Sequence, residues 1–310
     1  MTGATTTAPH VRLALGAALL SGVLVAVQQR INGELGVQLG DALTAAVVSF
    51  LTGLVVVAVV VAVRPGSRRA LPAVRTTARW ERLGGLGGAS LVAAGAVAAP
   101  EIGVALFSVG LVAGQVGGSL AGDRVGLGPG GPRPLTAPRL LGASLCLVAV
   151  LVAGLGRSGG TVSPLLIVAV VVAGGLVAVQ QALNGRVRLA TGDAGVATLV
   201  SFVVGSAALL VGLAVHVLVS GLSIDSWPGP DQWYLYAGGP VGASFVAVAA
   251  VAVAGLGVLR LGLAVIAGQL FGAVLLDAFV PAAGTSLAVA TVVGAALTLV
   301  AVLVSGLRPR

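Results

Sequence analysis

Residues 25–35 read VAVQQRINGEL, and residues 177–187 read VAVQQALNGRV. The two stretches stand 152 positions apart. They share Gln28-Gln29 with Gln180-Gln181 and Asn32-Gly33 with Asn184-Gly185. Apolar low complexity would match valines and leucines, but it would not match amides in order. Working outward at the same offset, Asp41 falls on Asp193, and Ser49-Phe50 with Gly53 falls on Ser201-Phe202 with Gly205. Further along the offset becomes 154. There GGLGGAS at 84–90 falls on GGPVGAS at 238–244, and AGQVGGSLAGD at 113–123 falls on AGQLFGAVLLD at 267–277. The chain is an internal duplication.

The composition places both copies in a membrane. Hydrophobic residues make up 57% of the 310-residue chain and charged residues 8%, against about 25% charge in soluble domains. Soluble enzymes, nucleic-acid readers and disordered chains are excluded by that shortage. Glycine is abundant at 48 residues and aromatics are scarce at 4%, as close-packed membrane helices require. The net charge of +8 comes from 17 basic residues, all arginine, lying between apolar runs. That placement points to membrane orientation and not to nucleic acid. The single cysteine, Cys146, can build neither a disulfide framework nor a cysteine metal site. No phosphate-binding GxxxxGK sequence is possible without lysine, and no helical His/Glu pair has metalloprotease spacing. No cofactor, metal or catalytic residue is therefore expected.

A span needs about 20 mostly apolar residues. Ten stretches qualify: 11–29, 42–63, 83–99, 102–122, 139–156, 164–182, 194–219, 233–254, 257–276 and 283–307. Pro100-Glu101 divides the third from the fourth, and Gly255-Leu256-Gly257 divides the eighth from the ninth. The run Leu13–Val27 is followed by Gln28-Gln29-Arg30, so it reads as a first span and not as a removed leader. With the arginine-rich 64–82 connection in the cytoplasm, fifteen arginines fall inside and only Arg30 and Arg157 outside. The expected fold is an all-α membrane protein of ten transmembrane helices. It comprises a cytoplasmic tail (1–10), a first five-helix repeat (11–156) and a second, inverted one (164–307). It would be multi-pass in the plasma (inner) membrane with both termini cytoplasmic. An odd number of spans per copy turns the second copy over, an architecture that supports alternating access.

On these residues the chain resembles the drug/metabolite transporter superfamily, and within it the YdcZ-like family of bacterial inner-membrane exporters. The resemblance rests on Gln28, Asn32 and Gly33; Ser49-Phe50 and Gly53; Gly84 to Ala89; and Gly114-Gln115 with Asp123, all repeated in the second copy. It implies ten helices in two inverted repeats and efflux of small molecules. Small multidrug relatives in the superfamily couple protons through a first-helix glutamate, and neither span one nor span six carries an acidic residue here.

The polar residues inside apolar runs are the candidate substrate-binding set. Gln115 and Gln269 occupy matching places in spans four and nine, where an amide needs a partner: another helix, or a substrate. Gln28 and Asn32 are four apart and share a helix face, as do Gln180 and Asn184. Both pairs are expected near span ends, either capping the helix or lining a cavity mouth. Gln29 and Gln181 point away and are weaker candidates. Asp123 and Asp277 end spans four and nine, either as interfacial carboxylates, with Arg124 and Arg133 available to Asp123, or as ion-coupling groups. Gly110, Gly114, Gly118 and Gly122 form a stripe for tight helix contact, expected to join span four to span nine. The expected function is a secondary transporter exporting a small metabolite or drug-like molecule, in contact with the lipid bilayer and no nucleic acid, as monomer or homodimer. The alternative is a non-transport membrane subunit or structural or sensory partner protein.

Overall fold

The computed structural model describes residues 8–129, 131–132, 134–155, 163–280 and 287–305. Arg133, Arg157, Arg308 and Arg310 lie outside the described residues, as does the side chain of Arg260. The described residues form helices and no strand. The helices are α1 (Ala8–Leu39), α2 (Ala42–Val63), the short α3 (Pro65–Ala70), α4 (Gly85–Arg124), α5 (Ala137–Leu155), α6 (Pro164–Thr191), α7 (Ala194–Ser220), α8 (Gly238–Phe279) and α9 (Val289–Ser305). Among the described residues, seven helical segments are long and apolar enough to cross a membrane, and Val289–Val304 is a shorter apolar helix. Helices suit this setting because every interior N–H finds a carbonyl within its own segment.

Helix ends follow local sequence. Asp41 and Asp193 are the N-caps of α2 and α7, accepting from the N–H of Thr44 and Val196. Gly192 closes α6 at φ 70°, in the left-handed region that favours glycine. Within α4, Pro100 removes one ladder donor and Gly103 stands at φ 77°, ψ 155°, so the helix divides there into two limbs. The expected break between spans three and four lies at this point.

The limbs of α4 run in opposite directions along α6. Gly84 and Gly88 face Asn184 and Gln180 in descending order, whereas Gly114 and Gly118 face Val171 and Gly175 in ascending order. The same reversal occurs in α8 along α1. Gly238 and Gly242 face Asn32 and Gln28, whereas Gly268 and Gly272 face Leu19 and Val23. The chain therefore turns back between Gly242 and Gly268, although helix is assigned throughout. At about 1.5 Å per residue, the 42 residues of α8 would measure roughly twice a hydrocarbon core if straight.

The core centres on the second limb of α4, where Phe107, Leu111 and Val112 are fully enclosed by α5, α6 and α9. The most apolar window of the Arg79–Arg124 segment is 83% buried, against 17% for α7. Segment α4 is thus interior and α7 peripheral, its Val211, Val215 and Leu218 facing outward as lipid-facing residues would.

The glycine stripe corrects one expectation. Its partner is α6, and not span nine: a methyl on Gly114 would strike the Val171 carbonyl, and one on Gly118 would come within 2.7 Å of the Gly175 backbone. Span nine instead meets α1 through Gly268. Only small residues allow such backbone approach. Gly117, one position from the stripe's face, has open space around it. Gly114→Leu should therefore lower the melting temperature in detergent by well over 5 °C or prevent a monodisperse protein, overpacking a close contact at a cost of about 1–3 kcal/mol or more. Gly117→Leu should stay within about 2 °C of the parent, since surface changes away from close contacts typically cost under about 0.5 kcal/mol. Equal behaviour of the two variants would refute the assigned interface.

Candidate functional site: paired amide seams between the two copies

The helix contacts of one copy recur in the other with residues exchanged. Gly22 lies against the Val265 carbonyl and the Gln269 N–H, and Gly174 against the Leu111 carbonyl and the Gln115 N–H. Gly53 meets Phe202 and Gly239, while Gly205 meets Phe50 and Gly85. Each pair keeps the sequence offsets of 152 and 154. Between the copies, α2 and α7 run antiparallel: Leu43 lies beside Gly212 and Val61 beside Gly195. Midway, the rings of Phe50 and Phe202 meet with centroids 5.1 Å apart.

The predicted amides occupy these seams. Gln28 lies against Gly242 and Asn32 against Gly238; Gln180 lies against Gly88 and Asn184 against Gly84. Each pair does share a face, but neither sits at a helix end. Helix α1 continues to Leu39 and α6 to Thr191, so the amides are mid-helix and cap nothing. The helices run on past the expected span ends of 29 and 182, through Arg30, Glu34, Arg186 and Arg188, which interrupt the apolar run. Three of those charges have partners: Arg30 Nε donates to Glu34 Oε1 at 2.6 Å, one helical turn away, and Arg186 is bonded between the copies.

Burial differs between the copies. Gln28 and Asn32 are 5% and 0% exposed, whereas Gln180 and Asn184 are half-buried. Ser201 Oγ donates to Asn184 Oδ1 at 2.6 Å. The equivalent Ser49 and Asn32 have side-chain polar atoms without a hydrogen-bond partner among the described residues. Gln29, read from sequence as pointing aside, is fully buried against Gly95 with both amide atoms unpartnered, while Gln181 is exposed. Each such atom costs about 1–3 kcal/mol. The signal that could have found Gln29 is Gly95 itself: position 249, its counterpart, is alanine.

Gln115 and Gln269 lie on different seams, α4 with α6 and α8 with α1. Gln115 is half-buried. Gln269 is 2% exposed, and its Nε2 has no hydrogen-bond partner among the described residues.

The two aspartates do different work. Asp277 caps the second limb of α4 across the copies: the N–H of Val104 donates to Oδ1 at 3.0 Å and that of Ala105 to Oδ2 at 2.7 Å. Gly103 leaves room for the carboxylate, and the limb's N-terminal dipole favours it. Asp123 pairs with Arg139; of the sequence neighbours considered for it, Arg133 lies outside the described residues.

Loops of the two copies also meet. Asp225 N–H donates to the Leu39 carbonyl at 3.0 Å, and Gln38 Nε2 to Ser226 Oγ at 2.7 Å. Ser67 Oγ donates to Asp193 Oδ2 at 2.9 Å. Arg186 donates to the carbonyls of Leu127 and Gly126 and to Glu81 Oε1, with its guanidinium over Trp80. Among the described residues no group of three or more metal-ligating side chains occurs.

Several long apolar helices held by glycine seams, with amides along those seams, define a multi-pass helical membrane protein. The chain belongs to the family described as "Putative inner membrane exporter, YdcZ", which matches residues 13–152 and again residues 165–304. The two matches are the two sequence copies, in a fused tandem form. That description is of a membrane exporter, and the family is not a known enzyme family. No curated relative matches the chain. A crystal structure of a protein 20% identical aligns over 96% of this chain and 96% of its own, with a TM-score of 0.55; the likeness is one of fold.

Replacing Asp277 by alanine should cost about 1.5–3 kcal/mol, since it strands two buried N–H groups and removes a charge-assisted cap. Replacing Asp123 by alanine should cost under about 1 kcal/mol, because its ion pair is partly exposed. Thermal unfolding of both variants checks the order, and a larger loss for Asp123→Ala would contradict it.

Proposed function

We propose that the protein is a secondary transporter that exports a small metabolite or drug-like molecule by alternating access. In this reading residues 11–156 and 164–307 are two five-helix repeats in opposite orientation, with both termini in the cytoplasm. The observation that carries it is the exchange symmetry of the seams. That Gly22 meets Gln269 as Gly174 meets Gln115, and that α2 lies antiparallel to α7, supports a two-fold relation between the copies. Two such units have two nearly equivalent arrangements, one open to each side.

The same-end loop contacts support the orientation. The 38–40 turn meets the 225–226 loop, both placed outside by the arginine count. The 64–70 segment meets Asp193, and the 80–81 turn meets Arg186, all placed inside. In this reading each of α4 and α8, which reverse direction, counts as two spans, in keeping with the ten expected from the sequence.

In this proposal Gln115, Gln269, Gln28, Asn32, Gln180 and Asn184 line the pathway. Asp123 and Asp277 couple it to an ion gradient. Each is a carboxylate at a limb end, and the contacts of Asp277 with Val104 and Ala105 cross between the repeats, where a rocking motion would change them.

Vesicles containing the protein should show gradient-dependent flux, reduced at least tenfold by Gln115→Leu in a folded protein. Wild-type flux in that variant would remove Gln115 from the pathway. Ala70→Cys and Asp225→Cys, in a chain whose own Cys146 is fully buried, should label from opposite sides of the membrane. Labelling from one side would end the inverted arrangement.

A further inference from the structure

Gln28, Gln29, Asn32 and Ser49 are each at most 5% exposed. Among the described residues, Gln28 Oε1, both amide atoms of Gln29, both of Asn32 and Ser49 Oγ have no hydrogen-bond partner. Native proteins leave few buried polar groups in that condition. Asn32 follows Gln28 by four residues and Gln29 by three, so it neighbours both on α1. Ser49 and Asn32 both border Gly238. We infer that these four side chains form a binding site for an uncharged solute presenting hydrogen-bond donors and acceptors together. The inference deepens the transport reading and rests on it for the site's role.

The inventory of atoms selects the ligand class. A metal cation would engage the oxygens of Gln28, Gln29 and Asn32 and leave Gln29 Nε2 and Asn32 Nδ2 without an acceptor. An anion would do the reverse. A solute carrying hydroxyl or amide groups satisfies both sets. The charged side chain nearest in sequence, Arg30, is engaged by Glu34.

The second copy argues that the open valences are not a general property of this seam. There the same asparagine–serine pair is closed, with Ser201 donating to Asn184, and Gln181 is exposed. Gly95 is what lets Gln29 lie flat: a methyl at that position would run into Gln29 Oε1. The site therefore belongs to the first copy.

A ligand site and a structural bond network respond oppositely to apolar replacement. Gln29→Met and Asn32→Leu, each in the full chain in lipid nanodiscs without added solute, should raise the melting temperature by about 2–5 °C, because unpaired buried polar atoms are removed. Flux should fall at least tenfold in the same variants. A lowered melting temperature in both would mean that the amides bond structurally or through bound water, and would overturn the site. Ribitol, urea and uracil serve as uncharged probes, with choline and glutamate as charged ones. At least one uncharged probe should raise the wild-type melting temperature, and Gln29→Met should abolish that shift. A shift with charged probes alone, or none with the uncharged ones, would reject the ligand class. Probe binding as expected without any vesicle flux would sustain the site while removing the transport reading.

Discussion

Backbone meets backbone along the glycine seams between the two copies, and the rest of the structure depends on that closeness. Lipid tails are as apolar as leucine, so burying leucine between membrane helices gains little. Association must come from dispersion at short range and from polar contacts. Gly22 and Gly268 bring α1 against α8, and Gly114 and Gly174 bring α4 against α6. These seams set the distance at which Gln28, Asn32, Gln180 and Asn184 face the opposing backbone. Bulkier side chains there would push the helices apart and leave the amides facing lipid.

Carboxylates tie the ends of these helices where glycine cannot. Asp41 and Asp193 cap α2 and α7, and each also reaches outside its own cap. His216 Nε2 lies 3.1 Å from Asp41 Oδ2, and Ser67 donates to Asp193. Asp277 does the same for the second limb of α4, placing its charge on the N–H groups of Val104 and Ala105 that the break at Gly103 leaves without a ladder partner. Three aspartates of this chain thus compensate helix ends.

The duplication, the all-helical class and the reversal at Pro100 were legible because each has a signature in residue order. Amides recur at a fixed interval, apolar runs reach spanning length, and proline interrupts one of them. The site was less legible. Helix α1 continues through Arg30 and Glu34 because those charges neutralise one another a turn apart, which a hydropathy threshold reads as an ending. The partner of the Gly114 stripe could not be read from sequence, since small residues announce contact without naming the helix that arrives. Gln29 was passed over because helical phase told only that it differed from Gln28, and the groove at Gly95 that receives it lies 66 positions away.

Gln29 resting on Gly95 has no twin, for the second half offers alanine at 249 and leaves Gln181 exposed. Had the assembly been made from two identical polypeptides, any change at that contact would be imposed on both ends of the molecule at once. Covalent fusion lifts this restriction. One half can specialise its chemistry while the other retains the scaffold, so the halves can diverge without losing the architecture that makes them partners.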